Sequence, residues 1–207
     1  SMYGNFGREE GLFAIIIYIF LFFTANRNYI FSKRHMHFLL ISAAIVAVYG
    51  IFQYFGFDPI PRDPRRINWS GRAFATMGNP NFLGSYLTLI LPISIFTYLY
   101  THKNIYLLTS ALIYMSLLCT MTRSAWLGSL TGVIILIAYS VLYKLKKKYI
   151  AILLAVLSII TIAMNNISSG RIIGRFFTIG TDFKEIVEQT PDSQKAGAGR
   201  IFIWRRV

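Results

Sequence analysis

At 207 residues, 55% of them hydrophobic and only 14% charged, the chain lacks the polar surface that a soluble domain of this length requires. The formal net charge of +13 would suit nucleic acid, but Lys and Arg are interleaved with long apolar runs and form no continuous stripe, which argues against that partner. The single cysteine, Cys119, lies inside an apolar run, so there is no intrachain disulfide, and neither HExxH nor any Cys cluster marks a metal site.

In chain order, Arg8-Glu9-Glu10 precedes the first apolar run and no small-residue cleavage site follows it, so a cleavable signal peptide is not expected. Six runs read as spans: Leu12–Ala25, Phe38–Gly56, Phe82–Tyr100, Ile105–Thr122, Ser124–Tyr143 and Tyr149–Met164. A crossing of about 30 Å needs roughly 20 helical residues, which the second to fifth runs meet, while the first and last are short. Ile105–Tyr143 is nearly continuous. As one helix its 39 residues would measure about 58 Å, so it must fold back, and Thr122-Arg123-Ser124 is the expected place. Arg123 then lies at a membrane boundary. Pro92 is expected to kink the third span.

These elements predict an all-α fold, a polytopic bundle of about six transmembrane helices over residues 1–164. Residues 165–207 change character, with charges of both signs, and read as the start of an extracytoplasmic segment with short amphipathic stretches at Phe183–Val187 and Arg200–Trp204. The loops 26–37, 101–104 and 144–148 carry six of the eight lysines and no acid, and all fall on one side. The positive-inside rule makes that side the cytoplasm. The outer segments hold eleven of the thirteen arginines, against this gradient. Solvated loops and lipid head groups account for any one of them; for the cluster, an anionic ligand is the better account, because the guanidinium fork grips phosphate bidentately.

The outer loop 57–81 begins with prolines at 59, 61 and 64, which stiffen it, and ends in the turn Gly78-Asn79-Pro80-Asn81. Asn81 is expected either to cap the third span or, with Asn79, to present amide dipoles and a helix N-terminus to a phosphate or sugar, with Arg72 close enough to share the site. Arg123 either snorkels to head groups or faces the bundle interior and holds an anion. Gly197-Ala198-Gly199-Arg200 is flexible before Arg200 but is not a P-loop. All three histidines, His35, His37 and His102, fall in predicted inner loops, so no outer histidine is available as a base.

Four segments, taken together, carry a likeness: Gly4-Asn5-Phe6-Gly7-Arg8-Glu9-Glu10-Gly11-Leu12, Gly78-Asn79-Pro80-Asn81-Phe82-Leu83-Gly84, Thr122-Arg123-Ser124-Ala125-Trp126-Leu127-Gly128 and Gly199-Arg200-Ile201-Phe202-Ile203-Trp204. In this order and at these membrane positions the chain resembles the O-antigen ligase and polymerase superfamily of bacterial membrane glycosyltransferases, which includes protein O-oligosaccharyltransferases. The resemblance implies transfer of a glycan from undecaprenyl pyrophosphate to a hydroxyl of a polysaccharide, lipid or protein on the outer face of the cytoplasmic membrane, with no cofactor and no metal. It implies that Arg123 and Arg200 hold the pyrophosphate and that an essential histidine lies further along a large outer loop. A longer protein with further spans is therefore expected, and the chain by itself is expected to be inactive. The alternatives are a transporter or flippase for an anionic lipid-linked polysaccharide, and a non-catalytic assembly subunit. A transporter would carry ionisable residues inside spans and internal repeats, and the six runs show neither.

Overall fold

A computed structural model describes residues 11–28, 30, 32–60, 71–143 and 145–188. The described residues are helical throughout, without a strand: α1 (Leu12–Asn28), α2 (Lys33–Tyr54), α3 (Pro80–Thr101), α4 (Asn104–Cys119), α5 (Arg123–Leu142), α6 (Lys147–Ile167) and α7 (Arg171–Glu188), with a single 3-10 turn at Ala75–Met77 before α3. Four of these, α2, α3, α5 and α6, are long and apolar enough to cross a membrane. The chain is a multi-pass membrane protein.

The chain divides into two compact units, Ser1–Leu39 and Leu40–Val207. In the first, α1 buries none of its residues, and Phe13, Ile16, Phe20 and Phe23 are exposed in turn, as a helix solvated by lipid requires. The second unit is built around α3, which packs on α4 and α5; α4 also packs on α6, and α7 lies against α5 and α6.

Apolar burial drives little association between helices already solvated by lipid, so close backbone approach and internal hydrogen bonds must hold this unit together. Small residues supply the approach. Along the α3–α5 seam a Cβ on Gly84 would stand 2.9 Å from the Ala125 Cβ, one on Gly128 3.1 Å from Thr88 Cγ2, and one on Gly132 3.0 Å from Pro92 Cγ. Thr88 Oγ1 donates across the seam to the Ala125 carbonyl at 3.1 Å. Ser94 and Ser110 hydroxyls pair at 2.8 Å between α3 and α4, and Tyr114 and Thr161 at 2.7 Å between α4 and α6. Within Leu40–Tyr54, α2 buries Leu40, Ala43, Ala47 and Gly50, a stripe at helical spacing that ends against Ser116 and Leu83.

The helix limits differ from the sequence expectation at identifiable points. The fold-back comes at Thr120–Thr122, where Met121 takes φ +51 and the Thr120 hydroxyl donates to the Leu117 carbonyl. That reversal shortens α4 to 16 residues, while Arg123 opens α5 at the expected boundary. The last span, expected to be short, is the 21-residue α6, because Lys147 and Lys148 join its first turn and their long side chains can reach past the apolar layer. Beyond it, Asn165–Ile167 stay helical, and α7, an 18-residue amphipathic helix, stands in place of the short stretch expected at Phe183–Val187.

Two opposite ends result. At one, the turns after α3 and after α5 carry Lys103 and Lys146, and the start of α6 carries Lys147 and Lys148, joined by His102 stacked on Tyr149 at 3.8 Å. At the other, the last turn of α2, the 71–79 segment, the α4–α5 turn and the start of α7 converge on arginines.

Candidate functional site

Arg72 sits where the 71–79 segment crosses the α4–α5 turn. Its Nε donates to the Thr120 carbonyl at 2.9 Å, and its Nη2 to Thr122 Oγ1 at 3.0 Å and to Asn81 Oδ1 at 3.4 Å. The backbone beside it is held from two directions. Ala73 N–H donates to the Cys119 carbonyl at 2.9 Å, and Gln53 Oε1 accepts from both Phe74 and Ala75 N–H at 2.8 Å. Gln53 Nε2 in turn donates to Asp58 Oδ2 at 2.7 Å, and Tyr49 OH to Asp58 Oδ1 at 2.6 Å. Arg72 is thus a fixed, half-buried cation.

The cap of α3 is Asn79, not Asn81. Pro80 fills the first helical position, where its missing N–H costs nothing, so the capping oxygen must come from the residue before it. Asn79 adopts the extended conformation this demands (φ −143, ψ 131), and its Oδ1 accepts from Asn81 N–H at 2.8 Å. Asn81 is thereby left to turn its amide oxygen toward Arg72 and Thr122.

Arg123 begins α5 at the same end, and its Nη1 donates to Thr178 Oγ1 of α7 at 3.0 Å. One turn before Thr178 lies Arg175, a residue that the sequence reading did not single out. Partial burial and the nearby charge of Arg123 hold the Arg175 guanidinium below its ordinary range. Burial, and then the charge of Arg175, does the same to Arg72. The three cations therefore lie within electrostatic reach in a chain, 72 to 175 to 123. Among the described residues, neither Arg72 nor Arg175 has a carboxylate contact. Arg171 closes the end from another side, donating to Tyr54 OH at 3.3 Å with its guanidinium 5.9 Å from the Tyr54 ring centre.

No family model, curated protein or solved structure matches this chain.

Of the expected site residues, Arg72, Asn81 and Arg123 meet at this end, and Asn79 is next to them as a cap. Arg200 lies outside the described residues, as do residues 1–10 and 61–70. The described residues contain no group of three or more His, Cys, Asp or Glu able to hold a metal. Arg175 could have been found by periodicity. Ile172, Ile173, Phe176 and Phe177 recur at one-turn spacing, with Arg171, Arg175 and Thr178 on the opposite side.

Such an arrangement can hold an anion. Neighbouring guanidiniums, one of them fixed and half-buried, gain from a ligand that carries two or more negative oxygens, because the ligand offsets their repulsion.

Proposed function

We propose that the protein is a glycosyltransferase of the O-antigen ligase and polymerase kind, acting on a glycan carried by a polyprenyl pyrophosphate at the outer face of the cytoplasmic membrane. The observation that carries this reading is the gathering of Arg72, Arg123 and Arg175 at one end of the helical unit, opposite the lysine-bearing turns. In the proposed reaction the acceptor hydroxyl oxygen bonds to the anomeric carbon, the bond from that carbon to the phosphate oxygen breaks, and the electron pair leaves with the pyrophosphate. The arginines stabilise the negative charge that grows on the leaving oxygen. The hydroxyl proton passes to a base, which the family resemblance assigns to a histidine of the large outer loop. Arg72 and Arg123 serve as pyrophosphate ligands together with Arg200, and Asn81 orients Arg72.

The test is transfer by membranes that contain the full-length protein, read as new glycosidic product. Arg123→Ala and Arg200→Ala each lower transfer by about a hundredfold or more while membrane insertion is unchanged. Wild-type transfer by both variants overturns the reading. Movement of intact donor across the membrane without a new bond would point instead to a flippase.

A further inference from the structure

Beneath α7 a groove of about 620 Å³ runs between α4, α5 and α6. Its walls include Leu117, Trp126, Leu130 and Leu154, and its roof is Phe176 and Phe177 of α7. Apart from the exposed Ser158, the polar side chains along it are engaged: Tyr114 with Thr161, the Trp126 indole N–H with the Leu117 carbonyl, and Ser129 with the Trp126 carbonyl. The lining is otherwise apolar, and the volume falls inside the range of roughly 300–1,000 Å³ typical of ligand cavities.

The groove and the cationic end are built from the same two helices, α5 and α7. Trp126 in its wall is one turn along α5 from Arg123, and Phe176 and Phe177 in its roof follow Arg175 directly. Arg123 reaches α7 by its bond to Thr178. So α7 presents an apolar face downward to the groove and a cationic face to Arg72 and Arg123. An occupant complementary to both has an anionic head and one hydrocarbon tail.

We propose that this groove takes the single tail of a polyprenyl phosphate or pyrophosphate, with Arg175 as a further phosphate ligand beside Arg123. The inference rests on the lipid-linked donor of the preceding reading and assigns its tail and a third head-group contact to particular residues. A tail gains little free energy by leaving bilayer for groove, since both are apolar. Affinity therefore resides mainly in the arginines, and the groove fixes where the head group lies.

The experiment is photolabelling of the full chain in phosphatidylcholine nanodiscs with a polyprenyl phosphate that bears a diazirine on its tail. Cross-links are expected on peptides containing Leu130, Leu154 and Phe176. Unlabelled polyprenyl phosphate is expected to compete, and polyprenol without phosphate to compete at least about tenfold less well. Arg175→Gln should weaken labelling about tenfold. Ser158→Trp and Leu154→Trp, both at exposed groove positions, should remove the groove cross-links, whereas Ile159→Trp, exposed but outside the groove, should not. Cross-links spread over the outer faces and unchanged by both groove substitutions would overturn the proposal. So would competition by dioleoylphosphatidylglycerol equal to that of polyprenyl phosphate. Labelling needs no turnover, so groove labelling alongside wild-type transfer by Arg123→Ala and Arg200→Ala would sink the transferase mechanism and leave the lipid site standing.

Discussion

Arg72 commits its Nε and Nη2 to Thr120, Thr122 and Asn81, while Nη1 has no bond among the described residues. It is a brace between the 71–79 segment and the α4–α5 turn. The brace depends on Gln53, whose single amide oxygen serves two backbone N–H groups and whose NH2 reaches Asp58. Gln53→Ala leaves two donors without their acceptor, and a loss of about 2 kcal/mol is expected, read as a lower unfolding midpoint in detergent. Gln53→Glu restores the acceptor but sets a carboxylate against Asp58. The pair then favours a bound proton, so the folded-state pKa rises above the unfolded value. The variant should be near wild-type stability below about pH 4 and lose stability as pH rises towards neutrality. Little of this was open to sequence reading. Gln53 sits in an apolar run with no local signal, and its partners lie 21 and 22 residues away. Asn79 is different. Its role follows from Pro80, and weighing the missing proline N–H would have separated it from Asn81.

At the scale of elements, the helices were legible because hydropathy and helical length are local properties: all six expected runs fall on helices, four of them long and apolar enough to cross a membrane. Their ends were not, because ends depend on hydrogen bonds between segments, as the Met121 reversal and the lysines of α6 show. The packing code was also legible in principle: Gly128 and Gly132 stand four residues apart on α5, the spacing that lets two membrane helices approach closely. Gly132→Leu should force α3 and α5 apart at Pro92 and cost about 1–3 kcal/mol, with loss of thermal stability in detergent. Gly174→Ala provides the contrast. A Cβ there meets nothing within 4 Å, so the change should firm α7 by about 0.5–1 kcal/mol and raise its amide-exchange protection. If Gly132→Leu were as stable as wild type, close backbone contact would not be what joins these two helices.

For the molecule as a whole, the separation of cation types is the feature that function must use. Lysines gather at one end of the unit Leu40–Val207 and Arg72, Arg123 and Arg175 at the other; the positive-inside rule expects the lysine end in the cytosol, in which case these arginines run against the insertion gradient, and a bound anion would offset the repulsion between them. Sidedness is therefore decisive, and it can be measured with two single-cysteine substitutions at exposed positions. Cys119 is fully buried and should stay silent towards an impermeant maleimide. On intact spheroplasts, Ser169→Cys at the arginine end should react and Lys103→Cys at the lysine end should not, and inverted vesicles should give the reverse. The reverse pattern on spheroplasts would put the guanidiniums in the cytosol, where a glycan donor displayed on the outer leaflet is out of reach. The arginine cluster would then need a cytosolic anion. The groove beneath α7 could still accept a lipid tail in that case, but only from the inner leaflet, so the same two residues that report orientation also decide which leaflet the lipid must come from.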